Sequence, residues 1–513
     1  MLFIESRTLD HRLDGAARLR LLEELQGRGL TPLIRSTRLS CYERALSSTS
    51  DARDMERALF AGLEDESAPV VPGDLFFVED YALALVFGET EEEPEGLRVS
   101  IIYEARTREP LRKLDSFCLT VSDAVLSAAR GEIDAERPAM SLALTGWRQS
   151  TATGQTAFTR YVARQDVDAL YTMRRRENAP DRVRAAELLE DTGTRQFLQH
   201  THQAHAEGCA AKLLPGERLA ATAVPSVDRL IDAGLVRPEI FVSCRQTGHS
   251  LFRLPTPDAL AVVTISQAAC GECGTPVADE KVEEMLVPTP LAAALLEDGS
   301  WLVNRVHSIL RELGLPESEI AIGPAGGDGE AHMMANVCGE PFLFILRDGP
   351  LSPAFARRAI DAAVETQAMH LVVVATGQMH NEGRARLLEH ARRRVRSGHE
   401  VELLVLEDVG AAFAALRDAF ERVSQRVLAD QLYALDTSSG LNVSRLLMNR
   451  AKLLQEAERQ NLDESPKEPS LERRADDRRD IALASAASAG GGGGSDLSDL
   501  GRRFSPNAQP PHE

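Results

Sequence analysis

Cys244, Cys270 and Cys273 are the side chains of this chain best placed by type and spacing for metal chemistry. Cys270-Gly-Glu-Cys273-Gly is a tight CxxC turn, and Cys244-Arg-Gln-Thr247-Gly-His249 repeats its layout with Thr247 where a second cysteine would stand. Turns of this kind offer two sulfurs to one ion, and zinc takes four such donors in a tetrahedron. Gly271 and Gly274 free the backbone of the second turn. A neutral hydroxyl is a poor zinc ligand, so a fourth donor is expected from His249, giving the set Cys244, His249, Cys270 and Cys273. Four protein ligands leave no open position for water, which makes such a zinc structural. Two alternatives stay open: a metal-free hairpin held by its apolar strands, and an unrelated fold in which the cysteines coincide.

Other candidates are weaker. His202, His205 and Cys209 fall on one helical face beside His200 without a visible fourth ligand, so an exposed polar flank is the simpler reading. Tyr171 to Arg184 holds five arginines, which suit a solvated helix end as well as a phosphate contact. Arg384, Arg386, Arg392, Arg393 and Arg394 crowd one helix beyond what its dipole can use, and are the candidate nucleic-acid-binding residues. Hydrolase elbows, HExxH helices and Walker loops are absent from the sequence.

The whole chain sets bounds on these sites. It has 513 residues, 43% of them hydrophobic, seven cysteines and a formal net charge of -20. That length calls for several units. The acidity argues against free affinity for a long polyanion, so any nucleic-acid contact needs a local basic stripe. Seven scattered cysteines do not make a disulfide framework. With no basic-then-apolar leader and no apolar run near ~20 residues, the expectation is a cytoplasmic protein with no membrane partner.

Periodicity predicts a multidomain chain of α/β and α+β character. A mixed α/β unit covers 1–150, with a helix from Ala16, strands near Asp74–Val78, Ala82–Phe87 and Leu97–Tyr103, and an acidic loop between the last two. Residues 151–240 are helix-rich. Within them a helix, a turn, a second helix capped by Ser226 and ended by Gly234, and a strand suit either a winged helix or a helical hairpin. The cysteine module spans 241–285, its apolar Leu251–Ile265 run expected as strands. From 290 to 428 the order is helix, three strands, helix, strand, helix, strand, helix. A helical stretch follows to 462, and 463–513, with five consecutive glycines and a DLSDLGRRF segment, is expected to be disordered.

Two resemblances follow. The cysteine module resembles the zinc-ribbon family. The 290–428 order, a hairpin around Cys338-Gly339 followed by βα crossovers, resembles the restriction-endonuclease-like (PD-(D/E)xK) superfamily. That likeness implies an acidic residue at Asp328 or Glu330, and Glu-x-Lys positions at Ile345 and Arg347. Ile345 cannot ligate Mg2+ and Arg347 cannot serve as a base, so hydrolysis would be lost unless a displaced carboxylate such as Glu340 or Glu365 took over. Asp348 would face away from Arg347. An ordinary α/β domain with Phe342, Phe344 and Leu346 as core, or a nucleotide site after the Val372–Gly377 strand end, are the competing readings. Three functions are expected in turn: a nucleic-acid-associated protein with an impaired nuclease-like domain and structural zinc, a scaffold with protein partners, or an active Mg2+-dependent nuclease with relocated ligands.

Overall fold

The computed structural model describes residues 2–46, 48–61, 71–88, 96–130, 146–149, 157–206, 226–297, 299–323, 329–398, 400–439 and 442–464. Asp328, Cys209, the acidic loop, the first helix of the expected winged helix and the tail from 465 lie outside them. Met1–Ala451 forms one compact unit; of the second, Lys452–Glu513, the described part is the end of the Val443–Glu464 helix. The architecture is mixed α/β with three sheets.

The first sheet contains β1 (Leu2–Leu9), β2 (Gly73–Val78), β3 (Tyr81–Phe87), β4 (Leu97–Glu104) and β5 (Arg148–Gln149), in the order β2-β3-β4-β1-β5. β1, which the sequence reading did not assign, lies between β4 and β5 and is antiparallel to both. Runs such as Ala82–Phe87 are buried throughout, because helices cover the sheet.

The second sheet is small: β6 (Val236–Ser243), β7 (Ser250–Leu254) and β8 (Lys281–Pro288), in the order β7-β6-β8. Ser226 does cap the Val227–Asp232 helix that leads into it, and Gly234 follows in the left-handed region. The expected strands in Leu251–Ile265 are corrected: only β7 forms, and Pro257–Ile265 is a helix. Its start outweighs the β-branched run, because the Thr256 side chain accepts from Ala259 N, Pro257 occupies the first turn, and Asp258 favours the helix dipole.

The third sheet holds β9 (Ile320–Ile322), β10 (Glu330–Val337), β11 (Glu340–Arg347), β12 (His370–Ala375) and β13 (Leu403–Leu406), in the order β13-β12-β11-β10-β9. Cys338 and Gly339, both at positive φ, make the two-residue turn between β10 and β11 that suits the twist of a hairpin. Strands β11, β12 and β13 run parallel, joined by the Pro353–Thr366 and Asn381–Arg396 helices. Alternation along β11 sends Phe342, Phe344 and Leu346 into a core shared with the first sheet, and Leu343 and Ile345 under the Pro353–Thr366 helix. No described helix is long and apolar enough to cross a membrane.

Candidate metal centre

The two cysteine turns have the same backbone. Cys244 N donates to His249 O at 2.7 Å and Gly248 N to Cys244 O at 2.8 Å; Cys270 N donates to Thr275 O and Gly274 N to Cys270 O, both at 2.8 Å. Gly248 and Gly274 each sit at φ +71°, a conformation a side chain would strain. Thr247 therefore occupies the position of a knuckle cysteine in fold as well as in sequence. Its amide lies 3.4 Å from Cys244 Sγ, so it supports the first sulfur instead of supplying a second.

The acid that joins the three sulfurs is Glu280. Donor atoms of Cys244, Cys270, Cys273 and Glu280 all lie within 4.8 Å of one another, a group that can hold a metal ion. Cys244 Sγ and Cys273 Sγ are 3.4 Å apart, far beyond the ~2.05 Å of a disulfide and near the roughly 3.8 Å edge of a tetrahedron with Zn–S about 2.3 Å. Glu280 is 3% exposed; one oxygen accepts from Arg245 N at 2.6 Å and the other lies 3.9 Å from Cys273 Sγ. Thr275 Oγ1, 3.2 Å from Cys273 Sγ, is placed to donate to a thiolate. Burying a carboxylate among sulfurs without a side-chain cation is unfavourable, and a divalent ion would remove the penalty.

His249 is not in this group. Its side chain is 56% exposed and its nearest charged partner is Glu272, at 3.9 Å. Its carbonyl closes the knuckle as the chain leaves Gly248, which turns the imidazole outward. Glu280 had no linear signal: it follows the second knuckle by a short 3-10 turn, Val277–Asp279. The register of β6 and β8 pairs Ser243 with Lys281, so the next residues outward, Cys244 and Glu280, meet.

The apolar support of this module is thin. Among the described residues Ile240, Val242 and Val277 are buried on one face, with the partly buried Leu251, Phe252, Leu254, Leu260 and Val263 against them, and Phe241, Met285 and Val287 on the other. Small cores of this size commonly need a metal or disulfide as a staple.

The end of β10 and β11 has a different chemistry. Glu330 pairs in register with Arg347. Arg347 Nη1 donates to it at 2.8 Å, and Arg358, from the Pro353–Thr366 helix, binds both of its oxygens. Glu330, one of the two acids that the nuclease resemblance singles out, is thus paired with two guanidinium groups. Ile345 is fully buried beneath the same helix. Asp348 does face the other way, accepting from Trp301 Nε1 at 2.8 Å and from Thr376 Oγ1. Glu340 lies at the opposite end of β11, 3.4 Å from His370 Nε2, and Glu365 pairs with Arg164 at 3.7 Å. Neither displaced carboxylate reaches Arg347's end of the sheet.

The loop after β12 does not form a phosphate cradle. Gly377 N donates to Gly349 O at 2.9 Å, and a Cβ at Gly377 would come within 2.7 Å of the Gly349 backbone. Its amide is committed to the neighbouring loop, with no space for an anion.

The arginine helix is largely paired with its own surroundings. Arg386 bonds Glu382 at 2.7 Å, Arg393 bonds Glu389 at 3.1 Å, and Arg384 lies 3.7 Å from Glu407. Arg394 donates to Ala368 O. In the Tyr171–Arg184 segment, Arg174 bonds Ile320 O, Arg176 and Arg182 flank Glu177, and Arg184 bonds Asp181. His200 and His202 are exposed. Comparison with family models, curated proteins and solved structures found no match to this chain.

Proposed function

We propose that this chain is a non-catalytic scaffold protein whose Cys244–Cys273 module is stapled by a structural zinc ion, and that its mixed sheet serves as framework. The convergence of Cys244, Cys270, Cys273 and Glu280 carries this reading, since four donors close the coordination shell and leave none for substrate. The clamping of Glu330 by Arg347 and Arg358 supports a non-catalytic sheet, because a carboxylate between two arginines is a poor Mg2+ ligand. The exposed side of the Pro257–Ile265 helix, with Val262 67% and Ile265 81% exposed, supports a role in contact with protein.

Metal analysis of the purified chain, paired with Mg2+- and Mn2+-dependent nuclease assays, tests it. One zinc per chain without cleavage is the expected result. Cleavage that disappears on Glu330→Ala or Asp328→Ala would instead establish an enzyme.

Nucleic-acid association is the second reading; its support is the groove between two helices that Arg357, Arg386 and Arg393 line together with Glu382 and Glu389. Reversing the charges of Arg386 and Arg393 would then flatten the salt dependence of binding; an unchanged slope removes this reading.

A further inference from the structure

A cavity of about 450 Å³ opens where β1 and β4 of the first sheet approach the β10–β11 turn. Its aromatic wall is the stacked pair Phe3 and Tyr103, with ring centroids 5.6 Å apart. Phe3 and Glu5 are two apart on β1 and share a face, so the Glu5 carboxylate stands beside the rings. Among the described residues no side chain or amide hydrogen-bonds to the Glu5 carboxylate. Burial, and then the charge of Glu319, push its carboxyl above the usual range against the opposing pull of Arg7. Glu319 itself accepts from Asn336 Nδ2 at 2.6 Å, which leaves Asn336 Oδ1 buried without a donor.

The polar groups of the cavity are therefore acceptors in excess. Arg112, on its rim, is bonded to Glu109 at 3.0 Å, and Arg7 lies 3.8 Å from Asp115. We infer that this cavity binds a small organic cation, an amine or quaternary ammonium attached to an apolar body. The cationic head satisfies Glu5 and, where it carries N–H groups, Asn336 Oδ1; the apolar body lies against Phe3 and Tyr103, whose ring faces attract cations. The volume falls in the range of small-ligand sites.

Calorimetry on the full chain tests this with tyramine, spermidine and choline, and with 4-ethylphenol as the uncharged analogue of tyramine. At least one cation is expected to bind at one site per chain. Where that cation is tyramine, 4-ethylphenol is expected to bind roughly tenfold more weakly or worse. Glu5→Gln is expected to weaken the cation to a similar degree without changing metal content. Leu111→Trp, at a rim position 47% exposed, fills the mouth and is expected to abolish binding with the thermal midpoint unchanged. If Glu5→Gln does not fold, the rim variant and the neutral analogue decide the matter. Absence of binding by all three cations, equal binding of 4-ethylphenol and tyramine, or binding unaltered by Leu111→Trp would each overturn the inference.

Discussion

Three thiols and a carboxylate converge at the end of β6 and β8, and no side-chain cation pairs with Glu280 among the described residues. At the end of β10 and β11, a carboxylate of similar burial lies between Arg347 and Arg358. In the sequence both regions look like metal motifs with a ligand replaced. Their surroundings separate them. Glu280 faces soft donors that share its need for a cation, whereas Glu330 already has two. An acid's availability to a metal depends on the charges packed around it, more than on its own position in a motif.

The strongest way to break this contrast is to remove the metal. Cys270→Ser, or prolonged chelation, is expected to abolish bound zinc and to unfold residues 236–288, since structural zinc binding is worth on the order of 10 kcal/mol. Hydrogen exchange would show the loss confined to that module; unchanged protection there would mean that its apolar faces suffice. Next in size is Glu330→Gln, which leaves two guanidinium groups without their anion. We expect about 3 kcal/mol of lost stability by urea denaturation, reduced by the partial exposure of Arg358. A loss under ~0.5 kcal/mol would make the triad incidental.

Glu280→Gln and His249→Ala sharpen the comparison within the metal module. The first is expected to weaken zinc by at least about 10- to 100-fold, the second to leave it unchanged, in competition with a chromophoric chelator. The reverse result would restore the histidine as ligand. The smallest effect concerns Asp74, an acid satisfied by backbone alone: it accepts from Ile34 N, Arg35 N and Leu75 N. Burial raises its carboxyl to about 6 from an ordinary 3.8, despite those bonds. The folded state thus holds this proton more tightly than the unfolded one. Its contribution is full below about 3.8 and is lost as pH rises through about 6. Between pH 7 and pH 5 the wild type is expected to gain about 1 kcal/mol that Asp74→Asn does not.

Much of the third sheet was legible in the sequence. The order of three strands, helix, strand, helix and strand that periodicity predicts after the first helix of 290–428 is the order found. The Cys338-Gly339 turn likewise falls between strands of matched alternation. The Pro257–Ile265 helix was misread because an apolar run of that length suits strand or helix equally, and the choice lay in the three residues that open it. Glu280 and Arg358 were invisible for another reason: each acts on a partner brought to it by strand register or by a helix crossing the sheet.

Local chemistry determined the knuckles, since a cysteine, three residues and a glycine in the left-handed region form the same hydrogen-bonded turn at both sites. Tertiary structure decided which acid completes the sulfur cluster and which is neutralised. Charge interactions fall with distance through space, and distance along the chain says little about which groups a sheet will bring to one end.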